Sequence, residues 1–203
     1  MNLYSEKTFM IPSLKGISDK TTETHLKLYS GYVKQTNTIL DQINELSKDS
    51  VKNSVALSEL QRRFSFEFDG MRNHEFFFKQ LEGGASLLPE VGTGGLKAAI
   101  AQEWGDFDTW LNRFKSIALT RGVVWAVLYY DPIERKLLNA WVDEQHLGHL
   151  TSLNFILGLD VWEHAFILDY APADKKNYIE AFFENLNWGV IEKRFVGATA
   201  IKQ

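Results

Sequence analysis

Two long stretches of helical periodicity, followed by a strand-rich half, limit most strongly how this chain can fold. Apolar residues recur at helical spacing over about residues 18–46 and again over about residues 54–81, after which Gly83-Gly84 provides a break. The stretch between the two patterns is short and polar. The sequence therefore predicts a long antiparallel helical hairpin.

The second half of the chain mixes helices with strands. The predicted elements are helices over residues 96–101 and 106–119, strands over 123–130, 137–142 and about 155–159, and helices over 173–186 and 189–195. The loop containing Pro89 and Gly94 is the predicted boundary between an N-terminal helical hairpin domain, residues 1–88, and a C-terminal mixed α+β domain, residues 89–203. We predict an α+β fold in which the hairpin precedes an α/β lobe with a three-stranded antiparallel sheet.

Composition excludes several classes of protein. A chain of 203 residues that is 45% hydrophobic can bury a large core. A net charge of −4 argues against nonspecific nucleic-acid binding, and the absence of cysteine excludes disulfides and thiolate metal sites. The N-terminus lacks a signal-peptide pattern, and the chain contains no apolar run of 18 residues. We therefore expect a cytoplasmic protein that binds neither nucleic acid nor membranes.

Four side chains predict a metal site. Asp160 and His164 lie four residues apart in the segment DVWEH, so on one helical turn they would face the same side. His25 and His74 lie on the two hairpin helices, which can bring them together. A set of three histidines and one carboxylate suits manganese, iron or zinc. A non-haem iron oxygenase is less favoured, because that class uses two histidines and one carboxylate.

Around these residues the chain resembles the iron/manganese superoxide dismutases over about residues 14–195. The resemblance is carried by Asn73-His74, by DVWEHAFILDY at residues 160–170, and by Asn187-Trp188. It implies that the four side chains bind one manganese or iron ion. It also implies an antioxidant oxidoreductase that disproportionates superoxide to oxygen and hydrogen peroxide.

The resemblance further implies a side chain that hydrogen-bonds to solvent at the metal. In the family a glutamine does so from four residues before the second histidine ligand, or from the turn ahead of the third strand. Here the first position is Gly70, whereas Gln145 lies fifteen residues before Asp160, as in the manganese type. Manganese is favoured over iron on this ground. The alternatives are that His146 is the donor, or that Gln145 is a solvated loop residue.

Aromatic residues around the ligands also resemble those of the family. The family's gateway tyrosine lies eight residues after the first ligand, but Tyr32 lies seven after His25. Positions i+4 and i+7 share a helix face with i, so Tyr29 and Tyr32 can both face the metal. Tyr32 is the catalytic candidate, with an ordinary core aromatic as the alternative. Trp125 and Trp162 correspond to the rings that exclude water from the family's metal pocket.

Glu163 corresponds to the family's dimer bridge, in which a glutamate accepts a hydrogen bond from the metal-bound histidine of the other subunit. The resemblance therefore implies a homodimer, or a tetramer. Tyr29 and Ile167 replace a histidine and a tyrosine that bond across the family's dimer, so we expect Tyr29 to bond elsewhere, through water towards Tyr32. With Arg72 and Phe78 in place of tryptophans, these changes leave open a metal-binding relative with little dismutase activity and a structural or binding role.

Overall fold

A computed structural model describes residues 3–90 and 92–200 of the protein. In chain order the elements are α1 (Asp19–Leu46), α2 (Ser54–Lys79), α3 (Leu96–Trp104), α4 (Phe107–Ala118), β1 (Val124–Asp131), β2 (Lys136–Asp143), β3 (Asn154–Asp160), α5 (Lys175–Glu184) and α6 (Trp188–Ala200). This order confirms the predicted fold class. The domain ranges 1–88 and 89–203 extend beyond the described residues at both chain ends, and this division stays a prediction. Within the described ranges, no helix has the length and apolar character needed to cross a membrane.

Helix α1 carries the first predicted ligand on its buried stripe. Thr21, His25, Tyr29 and Tyr32 are buried at spacings of three and four residues, so they share the face that packs on α2. Ser18 caps the helix, since its Oγ accepts a hydrogen bond from the main-chain N–H of Thr21 at 3.1 Å. The cap lies less than two turns before His25, which fixes the position of that side chain.

The sheet brings the second half of the chain to the hairpin. Its strand order is β2-β1-β3, and both pairings are antiparallel. In the central strand β1, Trp125 lies opposite Val142 of β2 and Asp160 of β3. Helix α2 packs against β3. This register places Trp125 beside Asp160 at the end of the sheet that meets the hairpin.

One local prediction is wrong, because Asp160 and His164 do not share a helical turn. Asp160 is the last residue of β3, and His164 lies in the short 3-10 helix Glu163–Ala165. The Asp160 Oδ1 atom accepts a hydrogen bond from the main-chain N–H of Trp162 at 2.9 Å, which turns the chain directly after the strand. The two side chains therefore converge from a strand end and a turn.

Candidate metal centre

Four side chains from four different segments converge on one point. The Oδ2 atom of Asp160 lies 3.1 Å from Nε2 of His25, 3.0 Å from Nε2 of His164 and 3.6 Å from Nε2 of His74. One ligand atom from each residue lies within 4.8 Å of the other three. Ligands bound to one transition metal at about 2.1 Å are separated by roughly 3–4 Å, so the cluster has the size of a single-ion site.

His74 provides the clearest indication that this cluster holds a metal. Its Nδ1 lies 2.6 Å from the main-chain oxygen of Gly70, and since a carbonyl only accepts, Nδ1 must carry the proton. The Nε2 lone pair is fully buried and has no hydrogen-bond partner among the described residues. An unpaired buried acceptor beside a carboxylate is unfavourable, whereas a metal-binding histidine typically donates its second nitrogen to a carbonyl in this way. The orientation of His74 therefore fits a metal ligand.

The charge states of the cluster also fit a cation. Burial lowers the pKa of His74 to about 3, with the charge of His25 adding to the effect and Asp160 opposing it. Burial also lowers the pKa of His25, against the hydrogen bond to Asp160. For Asp160, burial alone would raise the pKa, but His164 and His25 lower it well below its usual range. At neutral pH His25 and His74 are thus neutral and Asp160 is a carboxylate, and with His164 they form a donor set that suits manganese, iron or zinc.

These pKa shifts predict that the metal-free protein loses stability as the pH falls below about 6.5. The folded-state pKa values of His25 and His74 lie below the unfolded value of about 6.5, so the unfolded chain takes up protons first. Their contribution is complete above that pH and is lost towards the folded pKa. Urea denaturation at pH 7.5 and pH 5.5 should show a loss of about 1 kcal/mol from His74 and a further loss from His25. A His74→Asn variant should lose less, and equal losses in both proteins would contradict the prediction.

Tyr32 and Gln145 meet above Gly70, beside the cluster. A Cβ atom built on Gly70 would lie 2.7 Å from Nε2 of Gln145 and 2.7 Å from Cδ1 of Tyr32. Gln145 is fully buried, and its Nε2 donates to the main-chain oxygen of Phe66 at 2.8 Å. The ring centroid of Tyr32 lies 5.1 Å from that of His74. The glycine leaves the space that these two side chains fill.

Tyr32 keeps its proton at neutral pH. Burial raises its pKa to about 12, while a hydrogen bond with Gln145 lowers it and the charge of Asp160 raises it further. His146 does not occupy this space. Its ring packs edge to face on Phe66, with centroids 5.3 Å apart, and its Nδ1 lies 3.6 Å from Oε2 of Glu144.

Two family models match this chain. Residues 13–82 match the alpha-hairpin domain of the iron/manganese superoxide dismutases, and residues 92–194 match their C-terminal domain. The chain belongs to the iron/manganese superoxide dismutases. It is 32% identical over 180 residues to "Superoxide dismutase [Mn]" of Mycobacterium leprae (strain TN), covering 88% of this chain and 84% of that protein. It is 31% identical over 189 residues to "Superoxide dismutase [Fe]" of Aquifex aeolicus (strain VF5), covering 90% and 86%.

The two tryptophans that resemble this superoxide dismutase family's aromatic shell both lie against ligands. Trp125 is fully buried, with its ring centroid 5.2 Å from that of His74. Trp162 stacks on His164 at 5.5 Å, and its indole N–H donates to the main-chain oxygen of Glu144 at 2.8 Å. Such rings exclude water and hold the imidazoles in place.

Tyr29 is bonded within its own chain. Its hydroxyl accepts a hydrogen bond from the main-chain N–H of Lys7 at 2.9 Å and lies 3.4 Å from Oε1 of Glu75. Arg72, where superoxide dismutases usually have tryptophan, forms an ion pair with Glu75 at 2.7 Å. The N-terminal segment, which supplies Lys7, therefore covers this side of the hairpin.

Tyr178 and Phe77 contact the ligands, although neither contact was predicted from the sequence. The hydroxyl of Tyr178 on α5 donates to the main-chain oxygen of Asp160 at 2.8 Å. The ring of Phe77 lies 5.0 Å from that of His25. The position of Phe77 three residues after His74 is a helical signal that could have revealed it. Tyr178 gives no such signal, because its contact depends on how α5 packs.

Proposed function

We propose that this protein is a superoxide dismutase that holds one manganese or iron ion in the cluster of His25, His74, Asp160 and His164. The observation that carries the proposal is the convergence of these donors with the unpaired Nε2 of His74 among them. The relatives named for manganese and for iron support the same two metals. When bound by these four residues, either metal would supply the one-electron redox chemistry that the disproportionation of superoxide needs.

The side chains above Gly70 would hold and position the protons that the reaction consumes. Two superoxide ions and two protons give one oxygen and one hydrogen peroxide, so each turnover needs a proton source near the ligands. Tyr32 remains protonated at neutral pH, and the amide of Gln145 adjoins it. We assign Tyr32 as the gateway residue that holds a proton at its hydroxyl. Gln145 is assigned as the hydrogen-bond donor to solvent in the site, in preference to His146.

The departures from the family pattern leave the ligand cluster intact. Phe78, in place of a tryptophan, still packs against the ring of His25. Arg72 points to Glu75, and the hydroxyl of Tyr29 is satisfied by the N-terminal segment. These contacts favour an active dismutase over the alternative of a metal-binding relative with little activity.

Manganese is the proposed first choice of metal, with iron as a second metal that also supports activity. The argument is that Gln145 reaches the site from the turn after β2 while Gly70 leaves the helix position open. The test is to load metal-free protein with each metal separately and measure superoxide consumption. Comparable or greater activity with manganese is expected. Activity with iron alone, together with an unaffected Gln145→Ala variant, would count against the assignment.

We also propose a homodimer in which Glu163 bonds to the partner's metal-bound histidine. Glu163 is exposed and lies next to His164, whose Nδ1 finds no acceptor within residues 3–90 and 92–200. A ligated imidazole needs such an acceptor. Ile167 and Leu168 nearby are 43% and 52% exposed, which is consistent with an apolar contact between subunits. A tetramer built from this dimer is the alternative assembly.

Replacing Glu163 with alanine should weaken dimerisation and reduce metal retention, because His164 loses its acceptor. Tyr29→Phe is the comparison, and it should leave the dimer intact because the Tyr29 hydroxyl bonds inside its own chain. Sedimentation velocity and metal content measure both effects. A wild-type protein that is monomeric and fully active would refute the bridge.

A further inference from the structure

Next to Gln145 lies a partly buried chain of hydrogen bonds that includes neither the ligands nor the gateway residue. The main-chain oxygen of Gln145 lies 2.9 Å from Nε2 of His149 and 3.0 Å from Nδ2 of Asn73. On the far side of the imidazole, Nδ1 of His149 lies 2.5 Å from the hydroxyl of Tyr129 on β1. The chain therefore runs from the sheet, through an imidazole, to the main chain of Gln145.

Hydrogen-bonding rules fix the direction of the bonds from Tyr129 through His149 to Gln145, and the 3.3 Å contact of Nε2 of His149 with Nδ2 of Asn73 is then one between two donors to the same oxygen. A main-chain oxygen only accepts, so Nε2 of His149 carries the proton and donates it to Gln145. The neutral ring then presents Nδ1 as an acceptor, and Tyr129 must donate to it. Nδ2 of Asn73 donates to the same oxygen from α2. The oxygen of Gln145 thus has both its acceptor positions occupied by side chains from two different elements.

The turn that carries Gln145 needs such support because its backbone is strained. Glu144, directly before it, has a φ of 50°, which non-glycine residues rarely adopt. The main-chain groups of Asp143 and Leu147 bond to each other at 2.8 Å and 3.2 Å, which closes a tight turn around Gln145. Tyr129 lies where the pairing of β1 with β3 shifts register, a type of irregularity that redirects side chains.

The side chain of Gln145 is bonded at one end only, because hydrogen bonds to Phe66 and Tyr32 hold its amide nitrogen and, among the described residues, none holds its buried amide oxygen. A donor placed at position 70 would be held by helix α2, whereas a donor on a turn is held only by what surrounds it. The amide therefore depends on its main chain for its position above Gly70.

We propose that His149 and Tyr129 are positioning residues for Gln145, which hold its main chain so that its amide stays against Tyr32. The proposal rests on the proposed function for the role of Gln145 in the reaction. Tyr129 fixes the imidazole, the imidazole fixes the oxygen of Gln145, and the amide keeps its place beside the ligands. Within the part of the chain that the structure describes, neither residue forms a hydrogen bond with any of the four ligands.

The test compares Tyr129→Phe and His149→Phe with the control Tyr130→Phe, whose ring packs on Phe195. Hydrogen exchange of the main chain over residues 143–149, followed by mass spectrometry, should be several-fold faster in the two test variants and unchanged in the control. In manganese-loaded protein, the reduction potential should shift in the same direction as in Gln145→Ala. A His149→Phe/Gln145→Ala double variant should shift no further than Gln145→Ala alone.

The two readouts separate this proposal from the proposed function. Hydrogen exchange requires neither metal nor activity, so unchanged exchange in both test variants overturns the positioning role even if the protein is an active dismutase. Additive shifts of potential in the double variant overturn it as well, because His149 would then act independently of Gln145. If the proposed function is wrong, the wild-type protein will consume no superoxide. In that case the hydrogen-exchange measurement alone decides whether His149 and Tyr129 position Gln145.

Discussion

Replacing His74 with alanine is expected to abolish both metal binding and superoxide consumption. His74 is fully buried, and its Nε2 lone pair has no partner among the described residues. Its Nδ1 bond to Gly70 already fixes the tautomer and the ring. Removal takes away one of four donors and the ring that Trp125 packs against, so the ion would lose a bond and the remaining three donors would lose packing support.

The matched control for this variant is another histidine, His146. His146→Ala should retain stoichiometric metal, because its ring packs on Phe66 outside the ligand cluster. Metal content by elemental analysis and superoxide consumption are measured on the same preparations, after circular dichroism has shown that each variant is folded. If His74→Ala keeps stoichiometric metal and full superoxide consumption, the metal site is misplaced.

The second large effect is expected from Gln145→Ala, which should slow turnover and shift the reduction potential while metal occupancy stays complete. The amide lies beside Tyr32 above Gly70 and is no part of the ligand cluster, so its loss spares the metal. The substitution removes a buried hydrogen-bond donor. The reduction potential is expected to shift because a hydrogen bond from this donor would stabilise one protonation state of the solvent at the metal over the other. A tenfold loss of rate corresponds to about 1.4 kcal/mol in the barrier.

The measurement for Gln145→Ala combines metal content, the reduction potential and the rate of superoxide consumption. His146→Ala is again the comparison, since it tests the neighbouring residue in the same turn. A potential and rate that change in His146→Ala and stay at the wild-type values in Gln145→Ala would reverse the assignment of the donor.

The ligand set could be predicted from the sequence because each ligand lies in a local pattern. His25 and His74 fall on the buried stripes of long amphipathic helices, and helical periodicity fixes which face each residue takes. The resemblance to a known family then linked these helices to Asp160 and His164. The prediction that Asp160 and His164 share one helical turn was wrong even so. The strand β3 continues through Asp160, and the chain turns only after that residue.

The hydrogen bonds around the ligands could not be predicted, because they depend on tertiary packing. The bond of Tyr129 to His149 requires the irregular register of β1 with β3 and the conformation of the turn after β2. The contact of Tyr29 with Lys7 requires the N-terminal segment to lie on the hairpin, and no periodicity indicates where that segment runs. Helix faces can be deduced from spacing, but contacts between a turn or an extended segment and a distant element cannot.

The most direct test of the central claim is the metal content of the purified native protein, determined together with its superoxide consumption. We predict about one manganese or iron ion for each chain and catalytic consumption of superoxide that is lost when the metal is removed and restored when it is returned. A protein that carries a full complement of manganese or iron and consumes no more superoxide than the His74→Ala variant would contradict the account.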